Sequence, residues 1–330
     1  MFLKNGTVIV LEFTKKPNDM KRLLATILFL TFAIAAHANA ESANVDELQK
    51  AIALYTAGDT LTAVTLLEKF CTAYPDNSAG FYYLGRIAYD REKNEQAEKH
   101  FERAVDLAPD SSMYVLWLGR SYVKTALNSN IIKKTLYARK IKRCFMQAVE
   151  LDSLNTLARH DLIQFYVLVP AIAGGSDSKA IEHATILEQQ NSWEGFKAFG
   201  TIYSLQKDYE KAENIYLTAL SIYPREIQFY NYLASVYEKA MAYEKLMSLY
   251  EEASNRLPEL RSEILLKQAG ICLALNEDAK AHDFLIAALE DNTEHAEAHQ
   301  MLAALYRKNG DFQLAKYHEK KAGISAPVVD

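Results

Sequence analysis

The feature that most constrains this chain is that it repeats its own residue types at a displacement of 34 residues. Ala63 and Pro75 recur as Ala97 and Pro109, and Gly85 recurs as Gly119. Tyr203, Ala212, Tyr216, Ala219 and Pro224 are followed at the same distance by Tyr237, Leu246, Tyr250, Ala253 and Pro258, and Ala281 and Ala288 by Ala315 and Ala322. A unit this short cannot bury its apolar face alone, so neighbouring units must stack. Only 12 Gly and 7 Pro occur among 330 residues, half of which are hydrophobic. So few turn-formers predict a mostly helical chain and exclude an all-β sandwich, a collagen-like repeat and a disordered polypeptide.

The period and the residue types resemble the tetratricopeptide repeat. The stretch FYYLGRIAYDREKNEQAEKHFERAVDLAP carries its signature through Phe81, Leu84, Gly85, Ala97, Phe101, Ala104 and Pro109. A second stretch carries it through Phe196, Gly200, Tyr203, Ala212, Tyr216, Ala219 and Pro224. The resemblance implies an all-α fold, a right-handed α-α superhelix of about eight helix-turn-helix repeats. The expected repeats are 44–77, 78–111, 112–155, 156–192, 193–226, 227–260, 262–295 and 296–324, in a single solenoid over 41–330. Gly85, Ala97, Gly119, Gly200 and Ala212 fall where helices A and B of a repeat cross. Phe101, Tyr216 and Tyr250 fill space toward the next repeat, and Pro75, Pro109, Pro224 and Pro258 end helix B. Lys50 and Gln268 replace the usual Leu in the first and seventh repeats, and Glu319 replaces the aromatic in the last, which suits a wetted terminal face.

Two repeats are longer than the period. Phe101 to Phe145 spans 44 residues, so the third repeat carries ten extra residues, expected to lengthen its helix B. The fourth carries about three, with Tyr166 to Tyr203 spanning 37, and contains the loop VPAIAGGSDSKA. Pro170 stops its helix A, Gly174 and Gly175 turn the chain, and Ser176 or Asp177 caps the next helix. This loop is similar to one in some exported bacterial repeat proteins, which implies a lineage and no chemistry.

Lys21 and Arg22, the apolar run LLATILFLTFAIAA and the small-x-small site Ala38-Asn39-Ala40 have the three parts of a secretory leader. The expectation is a start at Met20, with 1–19 a mis-assigned upstream extension, 20–40 a signal peptide, and cleavage after Ala40. That gives a periplasmic or secreted product, soluble and not membrane-spanning after cleavage. The full chain has a net charge of -5, and without the first forty residues it is -8. This balance argues against a nucleic-acid partner. Cys71, Cys144 and Cys272 sit at apolar helical places and read as buried free thiols.

A search for chemistry finds no Gly-x-Ser-x-Gly, Gly-x-Gly-x-x-Gly, Cys-x-x-Cys or His-Glu-x-x-His pattern. Gly195, Gly200 and Thr201 have P-loop spacing without its Lys, and Ser121 and Lys124 have Ser-x-x-Lys spacing inside a repeat helix. His295 and His299, with His282 and His318 nearby, read as surface histidines rather than a metal site. No catalytic residue, metal or cofactor is expected, and the chain is read as no enzyme.

Two surfaces stand out. In the resembled family helix A lines the groove, which implies a partner-binding set of Tyr82, Arg86, Tyr89, Leu116, Arg120, His160 and Gln164. The later repeats hold Lys197, Thr201, Asn231, Ser235 and Glu238 there, departing from the Lys/Asn clamp that grips a carboxylate terminus. From Ser111 to Val149 there is no acid and a net charge of +8, against -16 for the rest without the leader. Ile132, Leu136, Ile141, Phe145 and Ala148 read as this segment's apolar stripe. Lys133, Lys134, Arg139, Lys140 and Arg143 are then a basic docking surface for an acidic partner. The leading reading is a non-enzymatic scaffold in the cell envelope that binds a peptide or protein in its groove. The alternative is docking on an anionic envelope polymer or lipid surface through the basic helix.

Overall fold

A computed structural model of the protein describes residues 45–323, together with the backbone of a two-residue antiparallel pairing between β1 (Leu3–Lys4) and β2 (Thr7–Val8). The expected signal peptide, 20–40, lies outside the described residues. The chain divides into two compact units, 1–151 and 152–330. In the first, α1 (45–56) pairs with α2 (Thr60–Ala73), α3 (Ser78–Asp90) with α4 (Asn94–Leu107), and α5 (Ser112–Leu127) with α6 (Ile131–Leu151). The second holds α7 (Thr156–Leu168) with α8 (Asp177–Gln190), α9 (Ser192–Leu205) with α10 (Tyr209–Ile222), and α11 (Ile227–Lys239) with α12 (Tyr243–Arg256). It ends with α13 (Arg261–Ala274) and α14 (Asp278–Asp291), then α15 (Ala296–Lys308) and α16 (Phe312–Lys321). Among the described residues these are eight consecutive helical hairpins, the all-α repeat architecture expected from the period.

Local chemistry sets where each helix starts and stops. Asn77, Asn155, Asn191 and Asp208 cap α3, α7, α9 and α10, their side chains accepting backbone N–H bonds of the first turn. Pro75, Pro109, Pro224 and Pro258 directly follow the C-cap residues Tyr74, Ala108, Tyr223 and Leu257 of α2, α4, α10 and α12. Six of the hairpins turn through one left-handed residue at an equivalent place: Gly58, Glu92, Lys207, Met241, Asn276 and Gly310. In the five turns after that at Gly58 the next residue's N–H closes the helix end, as in Lys93 to the Ala88 carbonyl and Asp208 to the Tyr203 carbonyl, both 2.9 Å. Four of the six turns place a side chain in left-handed backbone, at a cost on the order of 1 kcal/mol each.

Packing follows the small-residue pattern. A Cβ on Gly85 would lie 2.7 Å from the Phe101 ring, and one on Gly119 would lie 2.6 Å from Phe145. Each ring therefore fills the notch its own hairpin leaves. The same rings reach onward, Phe101 lying 6.1 Å from Trp117 and Tyr216 lying 5.5 Å from Tyr232.

Both insertions take a specific form. The ten extra residues of the third hairpin do not go to helix B alone: α5 has 16 residues where α3 has 13, and α6 has 21 where α4 has 14. The expected stripe is also corrected. Ile141, Phe145 and Ala148 are buried with Ala138 and Cys144, whereas Ile132 and Leu136 are exposed. Ile132 and Ile141 are nine residues, or about two and a half turns, apart, which puts them on opposite faces. In the fourth hairpin a 3-10 turn over Ala171–Ala173 and Gly174, at φ 106°, reverse the chain, and Ser176 rather than Asp177 caps α8.

Candidate functional site

Helix A of successive hairpins presents two kinds of place. Tyr82, Leu116 and His160 occupy the first and are only 8%, 0% and 5% exposed. All three are buried rather than open to a groove, and Tyr82 and His160 pack against the following hairpin. Tyr82 stacks on Tyr114 with ring centroids 4.8 Å apart, and His160 Nε2 lies 2.5 Å from Glu194 Oε2. Burial lowers the His160 pKa, aided by Lys197 and opposed by Glu194, so the neutral ring donates to the carboxylate.

Arg86, Arg120 and Gln164 occupy the second place, one turn on, and reach the surface. Arg86 is largely engaged by its own fold. Its guanidinium lies 3.7 Å over the Trp117 ring, and it donates to the Tyr82 hydroxyl at 3.0 Å and to that of Tyr55 at 3.5 Å. Tyr55 in turn donates to Asp90; burial and that bond push its phenol up to about 12. Arg120 lies 4.8 Å from the Trp117 ring, and Tyr89 meets it edge-on at 5.3 Å. Trp117 is thus the centre of this surface, and the groove mapping passed over it. The signal available was Arg86 and Arg120, equivalent places on α3 and α5, with Trp117 three residues before Arg120 on one helix face.

A depression lies in the second unit. A cleft of about 470 Å³ is lined by Asn231, Ala234, Ser235 and Glu238 of α11, by Tyr243, Leu246 and Tyr250 of α12, and by Lys267, Gly270, Ile271 and Ala274 of α13. Its volume falls within the roughly 300–1,000 Å³ of ligand clefts. Lys267 Nζ donates to Asn231 Oδ1 at 2.8 Å, tying the two walls together without neutralising the ammonium. Burial, with Glu238 nearby, pushes the Tyr250 phenol up to about 12, so it stays a neutral part of the wall. The cleft therefore offers a cation, a carboxylate, an amide and a hydroxyl around an apolar floor.

The predicted basic surface is partly free and partly used. Lys133, Lys134, Arg139 and Arg143 are exposed, and none pairs with an acid among the described residues. Lys140 is drawn inward instead, 3.9 Å from Glu98 and 4.6 Å from the Tyr122 ring centroid. Glu98 also accepts hydrogen bonds from Thr125 and Tyr137 at 3.1 Å, so one carboxylate of α4 grips both arms of the long hairpin.

The other chemical leads have structural explanations. Ser121 is fully buried and donates to the Leu118 carbonyl at 2.7 Å, which removes it from any Ser-x-x-Lys chemistry. The three cysteines are buried and free, and burial pushes Cys71 and Cys144 up to about 11. Among the described residues no group of three or more His, Cys, Asp or Glu is placed to hold a metal, and no helix is long and apolar enough to cross a membrane. His299 and His318 are not the surface residues expected; both are buried, with their Nδ1 atoms 2.8 Å apart.

That pair should make the last hairpin acid-sensitive. His299 Nε2 donates to the Thr293 carbonyl at 3.0 Å, so its Nδ1 is bare when neutral and accepts from His318 Nδ1–H. Burial first, then His299 and His282, lower the His318 pKa. An unfolded His takes a proton near pH 6.5, so below that the unfolded chain binds more protons and stability falls as pH drops toward the folded-state value. Amide exchange protection of α15 and α16 should decrease between pH 7 and pH 5, and His318→Leu should flatten that dependence. Equal protection at both pH values would show that the pair is not linked to stability.

Comparison with known proteins places these hairpins. Residues 48–112, 84–124 and 198–226 match family models described as tetratricopeptide repeat. No curated protein sequence matches the chain. Among solved structures, the chain is similar to a thermophilic tetratricopeptide-repeat protein of Thermus thermophilus, at 17% identity and a TM-score of 0.46, covering 58% of this chain and 98% of that one. It is also similar to a tetratricopeptide-repeat protein of Parabacteroides merdae, at 14% identity and a TM-score of 0.48, covering 83% and 98%. A third similarity, at 18% identity and a TM-score of 0.41, covers 56% of this chain and 88% of YrrB, described as a repeat protein with an unusual peptide-binding site.

Proposed function

The chain is a tetratricopeptide-repeat protein, and on that premise we propose that it is a non-enzymatic scaffold that holds a peptide or protein segment in the cleft among α11, α12 and α13. The observation that carries this reading is the cleft's composition. Asn231, Ser235, Glu238 and Lys267 can meet the backbone N–H and C=O groups of an extended segment, and the floor of Ala234, Leu246, Tyr250 and Ile271 can take one of its apolar side chains. The lining supplies hydrogen bonds and contact area rather than a nucleophile beside a base. In the first unit Arg120, Trp117 and Tyr89 form an aromatic and cationic surface suited to a second contact. The leader pattern at 20–40 supports a place for this scaffold in the cell envelope.

Selection of a random peptide library against the protein tests the reading. Ser235→Trp fills the cleft and should weaken selected peptides by tenfold or more, and Lys267→Glu should re-select peptides of opposite charge. Selected peptides that bind Ser235→Trp as tightly as the unaltered protein would put the site elsewhere.

A further inference from the structure

We propose that the tip of the α5–α6 hairpin docks the protein on an anionic phospholipid surface. The proposal rests on this hairpin alone and is independent of the cleft in the second unit.

The hairpin outgrows its neighbour. Three extra residues in α5 and seven in α6, relative to α3 and α4, add roughly 5 Å and 10 Å of helix at 1.5 Å per residue. The grip of Glu98 on Thr125, Tyr137 and Lys140 marks where the extension leaves α4. Beyond that grip the aliphatic side chains are uncovered. Leu127, Ile131, Ile132 and Leu136 are 69%, 75%, 71% and 60% exposed. Solitary exposed aliphatics such as Leu61 and Met241 occur elsewhere and need no explanation. Four within ten residues, on both sides of one tight turn, do.

The charges are ordered along the same axis. Ile132, Leu136, Arg139 and Arg143 fall at i, i+4, i+7 and i+11 of α6, one face of a helix, opposite the buried Ala138, Ile141, Phe145 and Ala148. Going inward from the tip, that face changes from aliphatic to cationic, with exposed Lys133 flanking it and exposed Lys134 on the far side of the helix. An anionic bilayer has the matching order: phosphates outside, acyl chains beneath. Aliphatic side chains at the tip can pass the headgroups while Lys and Arg stay at phosphate level. No acid lies between Ser111 and Val149 to oppose this approach. A soluble polyanion would satisfy the cations and leave the four aliphatics in water. A folded partner would need a shaped pocket for a narrow convex tip.

The test places a reporter on the tip. Ile132→Cys in the full chain, labelled with an environment-sensitive dye while the three buried cysteines stay native, is mixed with vesicles of phosphatidylcholine and phosphatidylglycerol. A blue shift and intensity gain are expected there and not with phosphatidylcholine alone. Because residues 23–36 form an apolar run, flotation is compared between variants rather than judged in absolute terms. Replacing Lys133, Lys134, Arg139 and Arg143 together by Gln should weaken flotation with anionic vesicles by roughly tenfold or more at about 0.1 M salt. Replacing Leu127, Ile131, Ile132 and Leu136 by Ser should weaken flotation while leaving association with soluble polyphosphate unchanged. The proposal is overturned if the dye shows no shift with anionic vesicles. It is equally overturned if the Ser variant floats normally, which would assign the surface to a soluble polyanion, or if the shift follows protein concentration without vesicles, which would assign it to a second copy.

Discussion

Phe229→Ala is expected to destabilise the second unit by about 3–5 kcal/mol. Phe229 is fully buried, and five rings surround it: Trp193 at 5.2 Å, Tyr223 at 5.9 Å, Tyr232 at 6.2 Å, Phe196 at 6.3 Å and Tyr216 at 6.4 Å. Four of these come from residues 193–223, so the ring joins the α9–α10 hairpin to α11. In a stacked array stability is a sum of repeat and interface contributions, and weakening one interface uncouples what lies on either side. Urea unfolding followed by Trp193 fluorescence, in a Trp117→Phe background, should show an earlier transition than circular dichroism reports for the remaining helices. Phe312→Ala, at an exposed ring, should stay within about 0.5 kcal/mol of the parent. A Phe229→Ala protein that unfolds as a single unshifted transition would show that this interface does not carry the load the packing implies.

Phe229 also shows where sequence reading stops. The residue 34 positions earlier is Gly195 and the one 34 later is Glu263, so no periodic comparison can find it. Periodicity exposes places that every hairpin needs, which is why the helix-crossing Ala and Gly, the ring that fills their notch and the closing Pro were readable. It says nothing of a ring used once. The groove shows the same limit at finer scale. Equivalence of Tyr82, Leu116 and His160 was visible, but their facing was not, since one residue on a helix is 100° of rotation and all three are turned away from solvent. The scarcity of Gly likewise concealed the left-handed turns, because Glu92, Lys207, Met241 and Asn276 adopt that conformation under the pull of packed helices on both sides. The cleft in the second unit depends on α11, α12 and α13 together, and no single repeat encodes it.

The same substitution should have opposite effects at two glycines of the second unit. Gly200 in α9 faces Tyr216 so closely that an added Cβ would lie 2.2 Å from its Cζ and 2.6 Å from its hydroxyl oxygen. The ring cannot retreat, because Tyr216 is buried with Tyr232 at 5.5 Å and Phe229 at 6.4 Å. Overpacking of this kind costs about 1–3 kcal/mol and exceeds the gain of up to about 1 kcal/mol from replacing a helical Gly by Ala. Gly270 in α13 borders the cleft, and its added Cβ would meet only the Met301 methyl, at 4.0 Å. With nothing to clash, the helical gain stands alone, and Gly270→Ala should stabilise by about 0.5–1 kcal/mol. Pairing Gly200→Ala with Tyr216→Leu should cost less than the two changes summed, since the second relieves the crowding the first creates. Thermal and urea midpoints of Gly200→Ala, Gly270→Ala, Tyr216→Leu and the double variant settle the point. A Gly200→Ala protein as stable as the parent would mean that the notch at this crossing is wider than the packing shows.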